Sequence, residues 1–380
     1  MRTGVNTPRR LLMTADAVGG VWSYALDLAA ALARRHDVET TLAVLGPLPN
    51  EDQRWSAGLV PGLTLVETAL PLDWLAGRPA EVEAAGRRIA ALAVETGAEI
   101  VQLNTPALAA RAVFPVPVVA VHHSCVATWW AWVRSGPLPD DFAWRTDLVG
   151  RGLRAADAVV APSRAFARAT RQAYGLSALP QAVWNGRAAP PALDGEAAEP
   201  AEFVFSAGRL WDEGKNVRTL DAAGARLGVR LLLAGPLQGP NGARVTPGHA
   251  LCLGNLGEEA LRDCLARRPV FASTALFEPF GLAVLEAAQA GCALVLSDIP
   301  TFRELWADAA VFVPPRDEAA IAAALDRVLR DRGLRAELGE AARRRAGRYT
   351  IAAMADRMAG LYRGLAAAAA PRRTAREAAE

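Results

Sequence analysis

The sequence predicts an α/β protein built as two Rossmann-like halves. Three observations lead there. Strand-like runs alternate with helix-like runs through residues 10–163. The alternation stops in a stretch rich in proline, glycine and acid at 186–202, GRAAPPALDGEAAEPAE, and a second alternating series starts at residue 203. Strands separated by helices of this length imply βαβ units and parallel sheets, and 380 residues suffice for two domains with sizeable cores.

In the first half, RLLMTADAV (10–18) reads as a strand ending in a glycine turn, and VWSYALDLAAALARR (21–35) as the helix after it. VETTLAVLG (38–46) is a second strand, residues 47–80 read as irregular, and EVEAAGRRIAALAVET (81–96) is a helix. EIVQLN (99–104) and VPVVAVHHS (116–124) are strands, and LVGRGLRAADAVVAPS (148–163) is a further helix-strand unit. In the second half the strands are FVFSAGRL (203–210), VRLLLAGP (229–236), PVFASTA (269–275) and ALVLSD (293–298), with helices at 258–267 and 281–290. One or two amphipathic helices fill 321–347, and another spans 349–365. The expected organisation is therefore a domain at 1–188, a linker at 189–202, a domain at 203–345, a final helix at 346–365 and a frayed tail at 366–380.

Hydrophobic residues make up 52% of the chain and charged residues 22%, which fits a globular protein rather than a disordered one. Forty-two basic residues against 40 acidic ones leave a net charge of +2, so nothing points to nucleic acid. Cys125, Cys252, Cys264 and Cys292 are far apart with no C-x-x-C pair, as expected of reduced thiols and not of a disulfide framework or zinc site. The N-terminus lacks a signal-peptide core, and no run approaches the ~18 apolar residues of a membrane span. A cytoplasmic location is expected.

The densest chemical signal is EPFGLAVLE (278–286). Glu286 lies on an otherwise apolar helix, where a lone charge would be costly and calls for a donor-rich partner such as paired sugar hydroxyls. The turn before it sets the backbone N–H groups of Gly281 and Leu282 at a helix N-terminus, a favourable place for phosphate. In SAGRLWDEGKN, Arg209 and Lys215 follow a strand end six residues apart. Arginine grips phosphate through two donors, lysine adds a compact charge, and both stabilise a departing diphosphate. Gly19 and Gly20 close the first strand, where backbone approaches closely or takes positive φ. His122 and His123 end another strand, where a histidine is more often a satisfied structural residue than a catalytic one. The aromatic run TWWAW (128–132) reads equally as packing or as an acceptor platform; WNG (184–186) reads as a hinge turn, SDIPTFREL (297–305) as a loop and helix cap, and ARRRAGR (342–348) as a solvated basic face.

The E-x7-E spacing of Glu278 and Glu286, the GRL…K segment and the TADAVGG loop resemble the retaining glycosyltransferases of family 4 over essentially the whole chain. The resemblance implies the GT-B fold, two Rossmann-like domains facing across a cleft, with the final helix returning to the first domain. It implies transfer of a sugar from a nucleotide-sugar, UDP- or GDP-linked, to a hydroxyl of a saccharide, lipid-linked or small-molecule acceptor, with retention by front-face displacement. By the same resemblance His123, Arg209, Lys215 and Glu278 are catalytic, and Gly19, Gly20, Phe280, Gly281, Leu282 and Glu286 bind substrate. Glu278 would orient a donor-sugar hydroxyl and Glu286 would hold the ribose. The chain departs from many members in carrying Lys215-Asn216 where they have Lys-Gly. No D-x-D stands at a strand end, so neither a metal nor another cofactor is expected. Peripheral membrane contact is compatible with the resemblance, because many members use lipid-linked acceptors.

Other classes compete. Another GT-B enzyme, such as a nucleotide-sugar epimerase or an inverting transferase, shares the architecture, but E-x7-E with the Arg…Lys pair favours retention. A nicotinamide oxidoreductase would need the G-x-G-x-x-G that is missing. A non-catalytic nucleotide-sugar-binding protein keeps every feature above, and product formation separates it from an enzyme. The acceptor site is expected along 47–80 and 124–146.

Overall fold

The computed structural model describes residues 8–188 and 200–377. These divide into two compact units. The first holds the described residues up to Trp130, then Gly136–Gly186 and the chain from Ile351; the second holds Ala131–Ser135 and Arg187–Thr350. Residues 189–199 of the expected linker, and 378–380 of the expected tail, lie outside the described residues.

The first unit runs β1 (Arg10–Asp16), α1 (Gly20–His36), β2 (Glu39–Leu45), α2 (Glu51–Gly58), β3 (Leu63–Leu70), α3 (Pro79–Glu95), β4 (Ile100–Leu103), β5 (Val118–Val121), α4 (Val126–Val133), α5 (Asp140–Ala155), β6 (Ala158–Ala161), α6 (Arg164–Tyr174) and β7 (Gln181–Ala182). Its parallel sheet has the order β3-β2-β1-β4-β5-β6-β7. Alternation along β1 sends Leu11 and Met13 to one face and Leu12 to the other, and all three are buried. Both faces of the sheet are thus covered, as parallel sheets require.

The second unit runs β8 (Phe203–Ala207), α7 (Val217–Gly224), β9 (Arg230–Ala234), β10 (Leu251–Gly254), α8 (Glu258–Ala266), β11 (Val270–Ser273), α9 (Leu282–Gln289), β12 (Ala293–Ser297), α10 (Pro300–Trp306), β13 (Val311–Val313), α11 (Glu318–Arg330) and α12 (Arg332–Ala346). Its sheet, also parallel, has the order β10-β9-β8-β11-β12-β13.

Three stretches differ from the sequence reading. The supposedly irregular 47–80 contains α2 and β3. Helix α2 is short and polar, but Asn50 and Gln53 close a reciprocal capping box at its start (3.0 and 2.8 Å), a signal that spacing alone offered. Strand β3 is an edge strand with alternating exposure, and edge strand β10 was missed as well. The final helix, α13 (Ile351–Glu377), begins later than expected and runs through the supposed tail. Its extension starts with the alanine run 366–370, the strongest of helix formers.

Helix α13 completes the first core. Met354, Ala355, Met358, Ala359 and Tyr362 join Leu11, Met13, Trp22, Leu28 and Leu32 in one buried cluster. On the outside, Arg35 grips Asp356 through two hydrogen bonds (3.0 and 2.7 Å). Met358 is fully buried, so Met358→Ala removes well-packed methylenes. It is expected to destabilise the first unit by about 2–5 kcal/mol, read as a lower urea midpoint at unchanged slope.

Candidate functional site

Each sheet has one point where successive connections leave in opposite directions, between β1 and β4 in the first and between β8 and β11 in the second. The crevice beyond the strand C-termini at such a point is where open α/β sheets bind ligands. Most of the residues singled out by sequence fall at these two edges, and each edge is described by itself.

At the first edge, Gly19 is the N-cap of α1 and Gly20 its first residue. Neither takes the positive φ that the sequence suggested: Gly19 is extended at φ −160°. What distinguishes the pair is the lack of side chains at a helix start. After β4, Asn104 is fastened to β1, its Nδ2 donating to the Thr14 carbonyl at 2.7 Å and its N–H to Thr14 Oγ1 at 3.0 Å. After β5, the two histidines separate. His122 is fully buried, with Nδ1 2.9 Å from Thr170 Oγ1 and its ring packed by Phe166 and Tyr174. His123 is half-buried, with Nε2 3.1 Å from Asn104 Oδ1 and its ring edge-on to Tyr24 at 4.5 Å. Burial pushes both imidazoles down to about 3, so each is neutral at physiological pH. Exposure thus separates the doublet, with His122 as core and His123 at the surface of the edge. Asp73, shortly after β3, was not singled out by sequence; burial, with the charge of Asp16 adding to it, pushes its carboxyl up to about 6.

At the second edge, Arg209 and Lys215 sit on the loop leaving β8. Arg209 Nη2 is 3.0 Å from Asp212 Oδ2, and the Lys215 ammonium is bonded to Glu278. Two of the sequence-predicted residues, Lys215 and Glu278, are therefore in direct contact. Gly281 is the N-cap of α9 at φ +93°, where a Cβ would lie 3.2 Å from Phe302 and 3.3 Å from Glu278. Glycine is required by both conformation and space. The Phe280 side chain turns inward, 3% exposed and edge-on to Tyr349 at 5.8 Å, so it serves packing and only its backbone remains for a ligand. Leu282 opens α9. Asn216 occupies the left-handed region at φ +56°, a position open to glycine and tolerated by asparagine. The asparagine also donates from Nδ2 to the Thr274 and Pro315 carbonyls (3.0 and 2.6 Å), ties which glycine lacks. That explains how Lys-Asn stands for Lys-Gly here.

Glu286 lies mid-helix on α9, as expected, but a protein group supplies its partner. Arg187 Nε donates to Glu286 Oε1 at 2.7 Å, with both side chains about four-fifths buried. Gln289 Nε2 holds the Arg187 carbonyl at 3.0 Å, and Glu258 is 3.7 Å from Arg187 Nη2. The sequence reading assigned the preceding Trp184-Asn185-Gly186 to architecture and overlooked Arg187. Its one signal was a cation beside a turn whose partner acid needed a countercharge.

The remaining motifs are mostly structural. Arg303 chelates Asp298 (2.6 and 2.7 Å) within the 297–305 segment, and Arg345 of the basic run caps the Leu305 and Glu304 carbonyls. The four cysteines are free. Among the described residues there is no group of His, Cys, Asp and Glu able to hold a metal, and no helix long and apolar enough to cross a membrane.

The fold agrees with that of known proteins. Residues 18–186 match the family model described as Glycosyltransferase Family 4, and residues 195–345 match that of Glycosyl transferases group 1. Taken together the two models cover most of the chain, which belongs to the glycosyltransferases of the family 4 type. A curated relative, the phosphatidyl-myo-inositol mannosyltransferase of Mycolicibacterium smegmatis, is 31% identical over 185 residues. That match spans 45% of this chain and about half, 47%, of the relative. Among solved structures, sucrose-phosphate synthase from Thermosynechococcus elongatus has a TM-score of 0.75 at 19% identity, over 95% of this chain and 100% of that one. Anabaena HepE in complex with UDP-glucose has a TM-score of 0.72 at 19% identity, over 94% and 100%. The fold is GT-B.

Two stability outcomes follow from the geometry. Arg187→Ala strips a largely buried carboxylate of its counter-ion and is expected to cost about 1–3 kcal/mol, less than for a fully buried pair; adding Glu286→Gln should recover most of it in urea unfolding. His122 keeps its neutral form down to about 3, whereas an unfolded histidine takes up a proton near 6.5. Unfolding therefore binds a proton in that window, and stability falls as pH drops through it, by about 1.4 kcal/mol per pH unit from this residue. Unfolding curves at pH 7 and pH 5 should show the loss, and His122→Asn should remove the share of this residue while that of His123 persists.

Proposed function

We propose that the chain transfers a sugar from a nucleotide diphosphate-sugar to an acceptor hydroxyl with retention at the anomeric carbon. The single observation behind the reading is the second sheet edge: Arg209, the Lys215–Glu278 pair and the glycine-opened start of α9 gather around one strand switch point. Two cations and a helix N-terminus suit a diphosphate, whose negative charge grows as the bond to the sugar breaks.

In the proposed step the acceptor oxygen bonds to the anomeric carbon on the face from which the diphosphate departs. The electron pair of the breaking C–O bond goes to the leaving phosphate oxygen, and the acceptor proton passes to that phosphate. Arg209, Lys215 and the N–H groups of Gly281 and Leu282 stabilise the phosphate; Glu278 orients a donor-sugar hydroxyl; Glu286 accepts from the ribose. The ion pairs hold Glu278 and Glu286 oriented before donor arrives, so little reorganisation is needed. HepE was solved with UDP-glucose, which favours a UDP-sugar among the candidate donors. The name of the mannosyltransferase relative favours a lipid-linked acceptor, and with it peripheral contact with a membrane.

The test begins with thermal unfolding in the presence of UDP, GDP, ADP and their sugars. A ligand at ~100 times its dissociation constant adds about 2.7 kcal/mol to the folded state. One nucleotide family should raise the midpoint, and that donor then serves the transfer assay. Lys215→Ala and Arg209→Ala should each cut turnover at least ~100-fold while the fold survives; activity near that of the parent refutes their phosphate role. Glu286→Gln should weaken nucleotide binding more than it slows the saturated enzyme.

A further inference from the structure

A buried chain of side chains in the first unit ends on His123, and its direction can be worked out from one backbone carbonyl. The oxygen of Thr14 can only accept, and Asn104 Nδ2 lies 2.7 Å from it. That contact fixes the amide, so Asn104 Oδ1 faces the other way and must itself accept. Two groups reach it, Gln102 Nε2 at 3.0 Å and His123 Nε2 at 3.1 Å. Both must donate, so His123 carries its proton on Nε2. With Gln102 Nε2 committed to Asn104, Gln102 Oε1 is left to accept, and the Tyr362 hydroxyl of α13 donates to it. The second hydrogen of Gln102 Nε2 points at Tyr24 Oη, 3.4 Å away. Gln102 and Tyr362 are both 0% exposed, so bulk water cannot take over either bond.

The neighbouring histidine is set the opposite way. Thr170 Oγ1 donates its only proton to the Phe166 carbonyl at 2.8 Å, so it accepts from His122, whose Nδ1 is 2.9 Å away. His122 is thereby the Nδ1–H form.

We propose that Asn104, fixed by the Thr14 carbonyl and backed by Gln102 and Tyr362, is the positioning residue for His123, holding its ring as the Nε2–H tautomer so that Nδ1 is offered as a hydrogen-bond acceptor. No described residue bonds that Nδ1. The titratable neighbours of the ring are His122 and Tyr24; burial holds both neutral, as it does His123 itself. The ring therefore takes a proton-sharing contact from a hydroxyl and does not hand a proton to a leaving group. That the hydroxyl belongs to a sugar rests on the function proposed above; the tautomer does not.

The full chain labelled with ¹⁵N-histidine decides the matter without any ligand, since nitrogen shifts and two-bond couplings distinguish the tautomers. The four histidines are sorted with His122→Asn and His123→Gln. Between pH 8 and pH 5 His123 should read as neutral Nε2–H and His122 as neutral Nδ1–H. Asn104→Leu, which removes the acceptor that sets the ring, should turn the His123 signal into a mixture of tautomers. Asn104→Asp, which sets a carboxylate at Nε2, should raise the His123 pKa by two units or more. A wild-type His123 that carries Nδ1–H, or that titrates near 6.5, overturns the proposal even if a variant fails to fold. A folded Asn104→Leu with an unchanged His123 signal removes Asn104 as the positioning residue. Failure of every nucleotide-sugar to bind while His123 stays Nε2–H refutes the donor reading alone.

Discussion

Within each sheet every strand runs in the same direction, and that constraint governs the rest. Parallel neighbours cannot be joined by tight turns, so most connections cross a face as a helix, and both faces become core. The polar chemistry is left with the rim beyond the strand C-termini. Side chains of very different sequence position meet there: Thr14, Asn104 and His123 in one unit, Lys215 and Glu278 in the other. Close backbone packing at the rim is bought with glycine. At Gly235, φ +135°, a Cβ would lie 1.8 Å from the Gly208 carbonyl, so the loops leaving β8 and β9 can lie together only without it.

Both acids of the EPFGLAVLE segment come with cations already in place. Glu278 has Lys215 and Glu286 has Arg187. A largely buried carboxylate without such a partner would take up a proton or turn away from the site. The pairs thus solve a problem of the ligand-free protein. Any incoming polar ligand must be met by groups that are charged, aimed and dry enough for the interaction to count. Arg187 is also the residue at which the chain enters the second unit, and it bridges to Thr350, at which the chain leaves it. Countercharge and crossing point are one residue.

How much could be read in advance depended on whether a feature is local. The strands at 10–18 and 203–210 announced themselves, because buried parallel strands are continuous apolar runs flanked by glycine. Edge strands β3 and β10 did not: Thr64, Glu67 and Thr68 interrupt the apolar pattern of β3, and β10 is only four residues long. Arg209 and Lys215 were legible as candidates because residue type and strand end suffice to suggest a phosphate site. Arg187, Asn104, Gln102 and Tyr362 were not: their roles exist only through partners 99, 90, 78 and 260 positions away. Asn216 lay between these cases. Its departure from Lys-Gly was visible, but its left-handed backbone was needed to show why asparagine serves.

The returning helix α13 has a consequence for how the protein is made. The first unit's cluster needs Met354, Met358 and Tyr362, yet the chain that forms its sheet ends near Gly186. At 5–20 residues per second a ribosome takes roughly 10–30 s to cover the intervening stretch. Throughout that interval the face of α1 and β1 that awaits α13 is uncovered, while the second unit is being synthesised. The usual order of synthesis is thus reversed, and the domain that begins first is the last to be finished.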